Sequence, residues 1–225
     1  MRQGFHPDSE SVRNQTQMRF TRFLLTTAAL VLLSVAPALA DDGRGEELFE
    51  LCVQCHGANG GGDPVALAPA IAGLSEWYLE AQLEKFRSGI RGAHPDDRAG
   101  LRMYPMSLSL RDDEDLAAVA AYVSSLPPAN PEPTLAGGEP AHGKLLYTPC
   151  IACHGPQADG LEALAGPNLK ASSDWYLLRQ LNNFKVGIRG TDPKDVTGMR
   201  MRPMSMILAD EQAMKDVIAY IMTLR

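Results

Sequence analysis

The sequence predicts an all-α protein built from two tandem domains. Shifting the 225-residue sequence by 98 positions superimposes residues 41–127 on 139–225 without a gap, with 33 identities among 87 aligned positions. In both copies, apolar residues recur at the i, i+3, i+4 spacing of a helix, and no alternating pattern of useful length indicates a strand. Two small helical domains follow, at residues 41–126 and 141–225.

The helices of each domain are predicted from apolar spacing and from capping residues. In the first copy, residues 45–51 form a first helix that runs on into residues 52–56. Ser75 caps a second helix that ends at Gly89, and Asp112 caps a last helix. The segments between these helices are rich in Gly, Ala and Pro and are predicted to be loops. The apolar stripes of the second and last helices comprise Trp77, Tyr78, Leu79, Leu83 and Phe86, then Leu116, Val119, Tyr122, Val123 and Leu126.

A linker, residues 127–140, separates the two copies. Four prolines fall within residues 127–133, and two glycines follow before Pro140. Closely spaced prolines favour a stiff, extended connector over a flexible one. Each domain is near the size at which a hydrophobic core is marginal, so a bound group is expected to complete it.

All four cysteines lie in two copies of one motif, Cys-x-x-Cys-His, at residues 52–56 and 150–154. This spacing is the attachment signature of c-type haem. The two thiols lie one helical turn apart and form thioethers with the haem vinyl groups, and the histidine becomes the proximal ligand of the iron. The sequence therefore predicts two covalent haem c groups on Cys52, Cys55, Cys150 and Cys153, with proximal ligands His56 and His154.

A Cys-x-x-Cys motif also occurs in zinc sites, in thioredoxin-like redox pairs and in disulfides. A thioredoxin-like redox pair needs a βαβ context that the sequence lacks. Structural zinc needs further Cys or His ligands near each pair. The remaining histidines, His6, His94 and His142, have no counterparts in the other repeat and make poor zinc ligands.

The N-terminus supplies the export signal that covalent haem attachment outside the cytoplasm requires. Arg19 and Arg22 precede an apolar run at residues 23–35, and Ala38-Leu39-Ala40 offers a cleavage site before Asp41. We therefore predict a signal peptide at residues 1–40, with a true start possible at Met18, and a mature periplasmic chain. The alternative is an uncleaved signal anchor, although the apolar run is short for a membrane span.

Charge is distributed unevenly between the two copies. Residues 41–130 carry 7 basic and 15 acidic side chains, whereas residues 131–225 carry 10 of each. An acidic half favours docking onto a basic partner surface, and the simpler explanation for Asp112–Asp115 is that acids favour a helix N-terminus. No basic patch is present to neutralise phosphates, so nucleic acid is not a predicted partner.

The sixth ligand of each iron decides the chemistry, because a thioether raises the potential whereas an empty site permits ligand binding. Only residues present in both copies are good candidates. Two methionine pairs qualify, Met106 with Met204 and Met103 with Met201, all in segments predicted as loops. We favour Met106 and Met204, because the preceding proline fixes the local backbone; Met103 and Met201 then line the haem edge or pack in the core.

Over residues 41–225 the chain resembles class I dihaem cytochromes c of the cytochrome c4 type. The resemblance is carried by C-x-x-C-H-G, by W-Y-L-x-x-Q-L-x-x-F-x-x-G-I-R-G and by the methionine segment, each present twice. It implies two cytochrome c folds packed face to face, haem propionate edges near one another, and His/Met ligation of each iron. Arg91 and Arg189 then either pair with the propionates or serve as surface or capping arginines.

The predicted function is electron transfer and not catalysis. A periplasmic carrier of this kind takes electrons from a quinol-oxidising complex or a dehydrogenase and passes them to an acceptor such as a terminal oxidase. The alternatives are a cytochrome subunit of a periplasmic dehydrogenase and a dihaem peroxidase, although matched methionines count against the iron that a peroxidase must keep open. Peripheral membrane association and the oligomeric state stay open at this point.

Overall fold

The computed structural model describes residues 43–225, so the predicted signal peptide and its cleavage site lie outside the described residues. The first repeat contains α1 (Arg44–His56), α2 (Glu76–Arg87), α3 (Arg98–Ser107) and α4 (Asp113–Ser125). The second contains α5 (Pro140–Leu146), α6 (Ile151–His154), α7 (Asp174–Val186), α8 (Val196–Met206) and α9 (Glu211–Met222), with 3₁₀ turns at Thr148–Cys150 and Glu162–Leu164. The prediction of an all-α fold is confirmed. Within residues 43–225, no helix has the length and apolar character needed to cross a bilayer.

The predicted caps lie where the helices begin. The Asp112 carboxylate accepts a 2.9 Å hydrogen bond from the Asp115 N–H at the start of α4, and Asp210 does the same for Ala213 at the start of α9. Helix α2 begins directly after Ser75, as predicted, but the Ser75 hydroxyl makes no capping bond.

Both methionine segments are helical, so the prediction that they form loops was wrong. Asp97 caps α3 through a 3.0 Å bond from the Gly100 N–H, and Asp195 caps α8 in the same way through Gly198. Proline within each segment argued against a helix. The structure accommodates Pro105 near the C-terminal end of α3, where the missing N–H removes only one bond from a helix that Asp97 has already started.

The helix that carries the Cys/His motif differs between the repeats. In the first repeat α1 is continuous from Arg44 through His56, so the helix predicted at residues 45–51 runs into the Cys/His motif, as predicted, and includes all of it. In the second repeat Pro149 replaces Leu51, and the helix breaks into α5, a 3₁₀ turn and α6. Proline cannot donate the backbone bond that a continuous helix requires, which explains the break.

The first and last helices of each repeat cross at a glycine. A Cβ on Gly45 would lie 2.3 Å from the Ala118 carbonyl oxygen, and one on Gly143 would lie 1.9 Å from that of Asp216. The two cores form around these crossings. Buried core residues of the first repeat include Phe49, Leu74, Leu79, Leu116, Val119 and Val123, and those of the second include Tyr147, Leu177, Met214, Val217, Ile218 and Ile221.

The linker is tied to the second repeat. The Asp174 carboxylate accepts bonds from the N–H groups of Thr134 and Leu135, at 2.5 and 2.6 Å. Arg225 donates to the carbonyl of Pro131 and, at 2.8 Å, to that of Ser172. With the linker fixed in this way, residues 43–225 form one compact unit in which the two repeats are in contact.

Candidate functional site

A cavity in the first repeat brings the predicted haem residues together. Cys52, Cys55 and His56 line it, and Met103 and Met106 from α3 line it as well. Much of the rest of the lining is apolar and comes from α1, α2, α4 and the loop before α2, including Phe49, Leu74, Leu79, Leu83, Phe86 and Val119. An apolar cavity with two thiols, an imidazole and thioethers suits a covalently attached macrocycle with an iron at its centre.

The two histidines occupy equivalent positions with equivalent hydrogen bonds. His56 Nδ1 lies 2.9 Å from the Pro69 carbonyl oxygen, and His154 Nδ1 lies 2.9 Å from that of Pro167. Because a carbonyl only accepts, Nδ1 carries the proton and Nε2 keeps its lone pair for a metal. Burial lowers the pKa of both histidines, and this effect is larger than that of the hydrogen bonds to the carbonyls, which raise the pKa. Each imidazole is therefore neutral at pH 7.

The cysteines are unpaired thiols at the edge of this arrangement. Cys52 and Cys150 are half-buried, whereas Cys55 and Cys153 are exposed. Burial raises the pKa of Cys52 and of Cys150 to about 11. A reactive redox pair depends instead on a lowered thiol pKa, so the surroundings of these cysteines disfavour that alternative.

Met103 and Met106 lie three residues apart on α3 and line the same cavity. Residues at i and i+3 share one helix face, which explains why both side chains reach it. Their counterparts Met201 and Met204 hold the same register on α8 and are likewise half-buried. The choice of Met106 and Met204 over Met103 and Met201 therefore stays a prediction.

Arg91 and Arg189 meet where the two repeats are in contact, and both are buried, at 5% and 8% exposure. Of the two alternatives given above for these arginines, a position on the surface is therefore excluded. Arg91 donates to Gln82 at 2.8 Å and to Gln180 at 3.3 Å. Arg189 donates to Gln180 at 2.6 Å and to Gln82 at 3.2 Å. Each guanidinium thus joins the two repeats through one glutamine from each.

These two arginines carry buried positive charge that their hydrogen-bond partners do not neutralise. Burial lowers the pKa of Arg189 to about 10, with Arg91 contributing in the same direction, and the group remains charged at pH 7. The partners above are amide oxygens, and within residues 43–225 the Nε atoms of both arginines are buried without a hydrogen-bond partner. Such groups need an anion, and haem propionates have the charge and geometry that a guanidinium binds.

Further polar contacts join the repeats near this cluster. Lys85 Nζ lies 2.6 Å from the Asp195 carboxylate and also donates to Thr197 across the contact. The Ser173 hydroxyl accepts a 3.1 Å bond from the Ala70 N–H. Tyr176 and Gln180 of the second repeat line the cavity of the first, so that cavity is completed by both halves of the chain.

Sequence reasoning missed most of this junction. Gln82 and Gln180 were visible as a repeated pair, yet a polar residue beside an apolar stripe is ordinarily solvated. The repeat was the signal that could have singled them out. Lys85 carried no such signal, because residue 183, its counterpart, is asparagine, although its partner Asp195 does repeat, as Asp97.

The fold and the site together define a c-type cytochrome with two haem-binding domains. The family model described as "Cytochrome c" matches residues 43–127 and again residues 140–225. A thiosulfate dehydrogenase electron acceptor from Stutzerimonas stutzeri (strain A1501) is 33% identical over 205 residues, which cover 84% of this chain and 90% of the relative.

Two solved structures are similar as well. Reduced recombinant cytochrome c4 from Pseudomonas stutzeri has a TM-score of 0.62 and 28% identity, covering 80% of this chain and 97% of its own. Thiosulfate dehydrogenase from Marichromatium purpuratum has a TM-score of 0.64 and 32% identity, covering 80% of this chain but only 39% of its own. This chain belongs to the cytochrome c family and is a dihaem electron carrier of the cytochrome c4 type, with two haem c groups.

Proposed function

We propose that the chain is a periplasmic carrier that takes single electrons from a dehydrogenase and delivers them to an acceptor such as a terminal oxidase. In this proposal Cys52 and Cys55 hold one haem, and Cys150 and Cys153 hold the other. The axial pairs are His56 with Met106 and His154 with Met204. Arg91 and Arg189 bind propionates at the contact between the repeats.

The observation that supports the proposal is that the same Cys, His and Met residues occur in both repeats, with buried arginines where the two repeats are in contact. Each haem, when bound, supplies a one-electron couple. The chain's own residues keep both imidazoles neutral and anchored to a backbone carbonyl, and surround the first site with apolar side chains. One electron arrives from the reduced donor and one leaves to the oxidised acceptor, so the carrier needs no proton and releases no product.

The donor class is suggested by similarity. The relative from S. stutzeri is named as the electron acceptor of thiosulfate dehydrogenase, and we extend that role to this chain as the first donor to test. The experiment mixes oxidised holoprotein with a thiosulfate dehydrogenase and thiosulfate, and follows haem reduction by the rise of the α-band. Reduction only at the rate of a control without the dehydrogenase would reject this donor.

Carbon monoxide tests the carrier function itself. The reduced holoprotein is mixed with carbon monoxide in the absence of oxygen while the haem spectrum is followed. An unchanged spectrum is expected, because a strong sixth ligand closes each iron. Rapid binding at either haem would contradict the carrier function, and peroxide would then be the first substrate to assay.

The axial methionines have a separate test. Met106→Ala and Met204→Ala are each expected to lower the potential of one haem and to leave the other nearly unchanged, because loss of a thioether removes a ligand that favours ferrous iron. Met103→Ala and Met201→Ala are the matched controls. If the controls shift the potentials and the first two variants titrate like the parent, the ligand assignment is wrong.

A second candidate function is a cytochrome subunit held permanently by a dehydrogenase. The similarity to the M. purpuratum enzyme favours it, because this chain matches only 39% of that longer chain. Size-exclusion chromatography with the dehydrogenase separates the two functions. Co-elution at high salt indicates a subunit, and separate elution indicates a diffusing carrier.

A further inference from the structure

One arginine breaks the symmetry of the two repeats at their contact. Arg179 lies on α7 where the first repeat has Ala81 on α2. Its guanidinium reaches across the contact and donates a 3.1 Å hydrogen bond to the Leu67 carbonyl of the first repeat. Arg179 also lines the haem cavity of the first repeat. The second repeat thus contributes a cation to the first haem site, and Ala81 has none to return.

The guanidinium of Arg179 is held in place, and among residues 43–225 it forms no direct ion pair with a carboxylate. Its carbon atom lies 4.8 Å from the centre of the Trp175 ring and 5.9 Å from that of Tyr176, at distances typical of cation–π contacts. Within residues 43–225, its Nε is buried and has no hydrogen-bond partner. Burial lowers the pKa of Arg179, whereas the nearby charge of Asp97 opposes that shift.

A cation also crosses the contact in the opposite direction, but it is already paired: Lys85 of the first repeat forms a direct 2.6 Å ion pair with Asp195 of the second. Asn183 stands where symmetry would put a second lysine, opposite Asp97, and its Nδ2 is buried without a partner within residues 43–225. The first cavity therefore receives an arginine with an unused donor, whereas the lysine that the first repeat contributes to the contact is already engaged with a carboxylate.

We propose that Arg179, supplied by the second domain, binds a propionate of the haem in the first domain and raises the reduction potential of that haem. This inference rests on the proposed electron-carrier function and names one residue that sets a haem potential. A fixed positive charge in a poorly solvated site favours the state with one more electron. Arg91 and Arg102 supply positive charge to this cavity from within the first repeat, and the second repeat has arginines at both equivalent positions, 189 and 200. Arg179 is therefore a cation at the first haem site that the repeat does not match at the second.

The test is the reduction potential of each haem in the Arg179→Gln holoprotein, measured by spectroelectrochemical titration. Proton NMR contacts from the haem methyl groups to Leu83, which lines the first cavity, identify the first haem without reference to the axial methionines. We expect the equilibrium constant for reduction of the first haem to fall about tenfold, equivalent to about 59 mV for a one-electron couple, with the second haem unchanged. Arg179→Lys keeps the charge and is expected to restore most of the loss.

Lys194→Gln, which removes an exposed positive charge from the same domain, is the control and is expected to change neither potential. An unchanged first potential in Arg179→Gln, or equal shifts at both haems, would overturn the inference. The same loss in Arg179→Lys as in Arg179→Gln would assign Arg179 a packing role on Trp175 and overturn it as well. The carrier function is judged separately, by carbon monoxide binding to the parent protein.

Discussion

The glycine at the crossing of α5 and α9 offers a sharp test of the packing. Gly143 lies within α5, where alanine is ordinarily the better helix former by about 1 kcal/mol. A Cβ at this position, however, would lie 1.9 Å from the carbonyl oxygen and 2.4 Å from the carbonyl carbon of Asp216. Ordinary carbon–oxygen contacts begin at about 3.3 Å, so the two helices would have to separate by more than about 1 Å.

Separating the two helices would also weaken the hydrogen bonds that join α5 to Asp216 on α9. The Asp216 carboxylate accepts a 2.8 Å bond from the Glu139 N–H at the start of α5, and His142 Nδ1 lies 2.7 Å from it. Overpacking costs about 1–3 kcal/mol, and weakening one such bond costs about 1 kcal/mol more. Against the gain of about 1 kcal/mol in helix propensity, Gly143→Ala is expected to lower the free energy of unfolding by about 2 kcal/mol.

Thermal unfolding of the holoprotein, followed by circular dichroism at 222 nm and by the Soret band, measures this effect. A loss of about 2 kcal/mol lowers Tm by about 4–8 °C in a compact unit of about 180 residues, the size of residues 43–225. Gly61→Ala is the matched control, because its new Cβ meets only the flexible side chain of Asn59. If Gly143→Ala unfolds at or above the temperature of the parent, the close helix crossing is wrong.

Two further predictions concern buried carboxylates. Arg111 and Arg44 lower the pKa of Asp115 to about 2, so this carboxylate stabilises the fold above its ordinary pKa of 3.8, and the contribution is lost as the pH falls from about 4 towards 2. Arg111→Ala should raise the pKa of Asp115, seen by NMR titration, and move acid unfolding to higher pH; an unmoved transition would contradict this. Lys85→Gln leaves the Asp195 carboxylate buried without its cation and should cost roughly 3 kcal/mol in thermal unfolding, whereas Lys194→Gln should cost less than about 0.5 kcal/mol. Equal Tm values for these two variants would mean that Lys85 and Asp195 are solvated.

The sequence predicted the parts of the fold that depend on local chemistry. Apolar spacing and the carboxylate of Asp112 located α4, because a capping side chain acts within three residues of its own position. The prediction missed the methionine helices because it relied on local signals there as well. Proline is a strong local signal against a helix, whereas Asp97 stabilises α3 at its opposite, N-terminal end. The proline and the capping aspartate thus pointed to opposite structures, and the proline, taken as the stronger signal, led to the wrong prediction of a loop.

The junction between the repeats depends on which surfaces meet, and a single sequence does not contain that information. Gln82 and Gln180 are each bonded to an arginine of the other repeat, across more than 80 positions of sequence. The repeat showed that these glutamines occur twice but not that they face each other. The same limit applies to Arg179, whose counterpart Ala81 offers no hint of a charged contact.

The residues that match between the repeats and those that differ have separate consequences. The matched residues, Arg91 with Arg189 and Gln82 with Gln180, build one nearly symmetric junction and give both haem sites the same basic chemistry. Two identical sites at equal potential would give electrons no preferred direction through the molecule. Differences at the same junction, such as Arg179 against Ala81, place unequal charge beside the two sites, and unequal charge separates potentials that the symmetric part would leave equal.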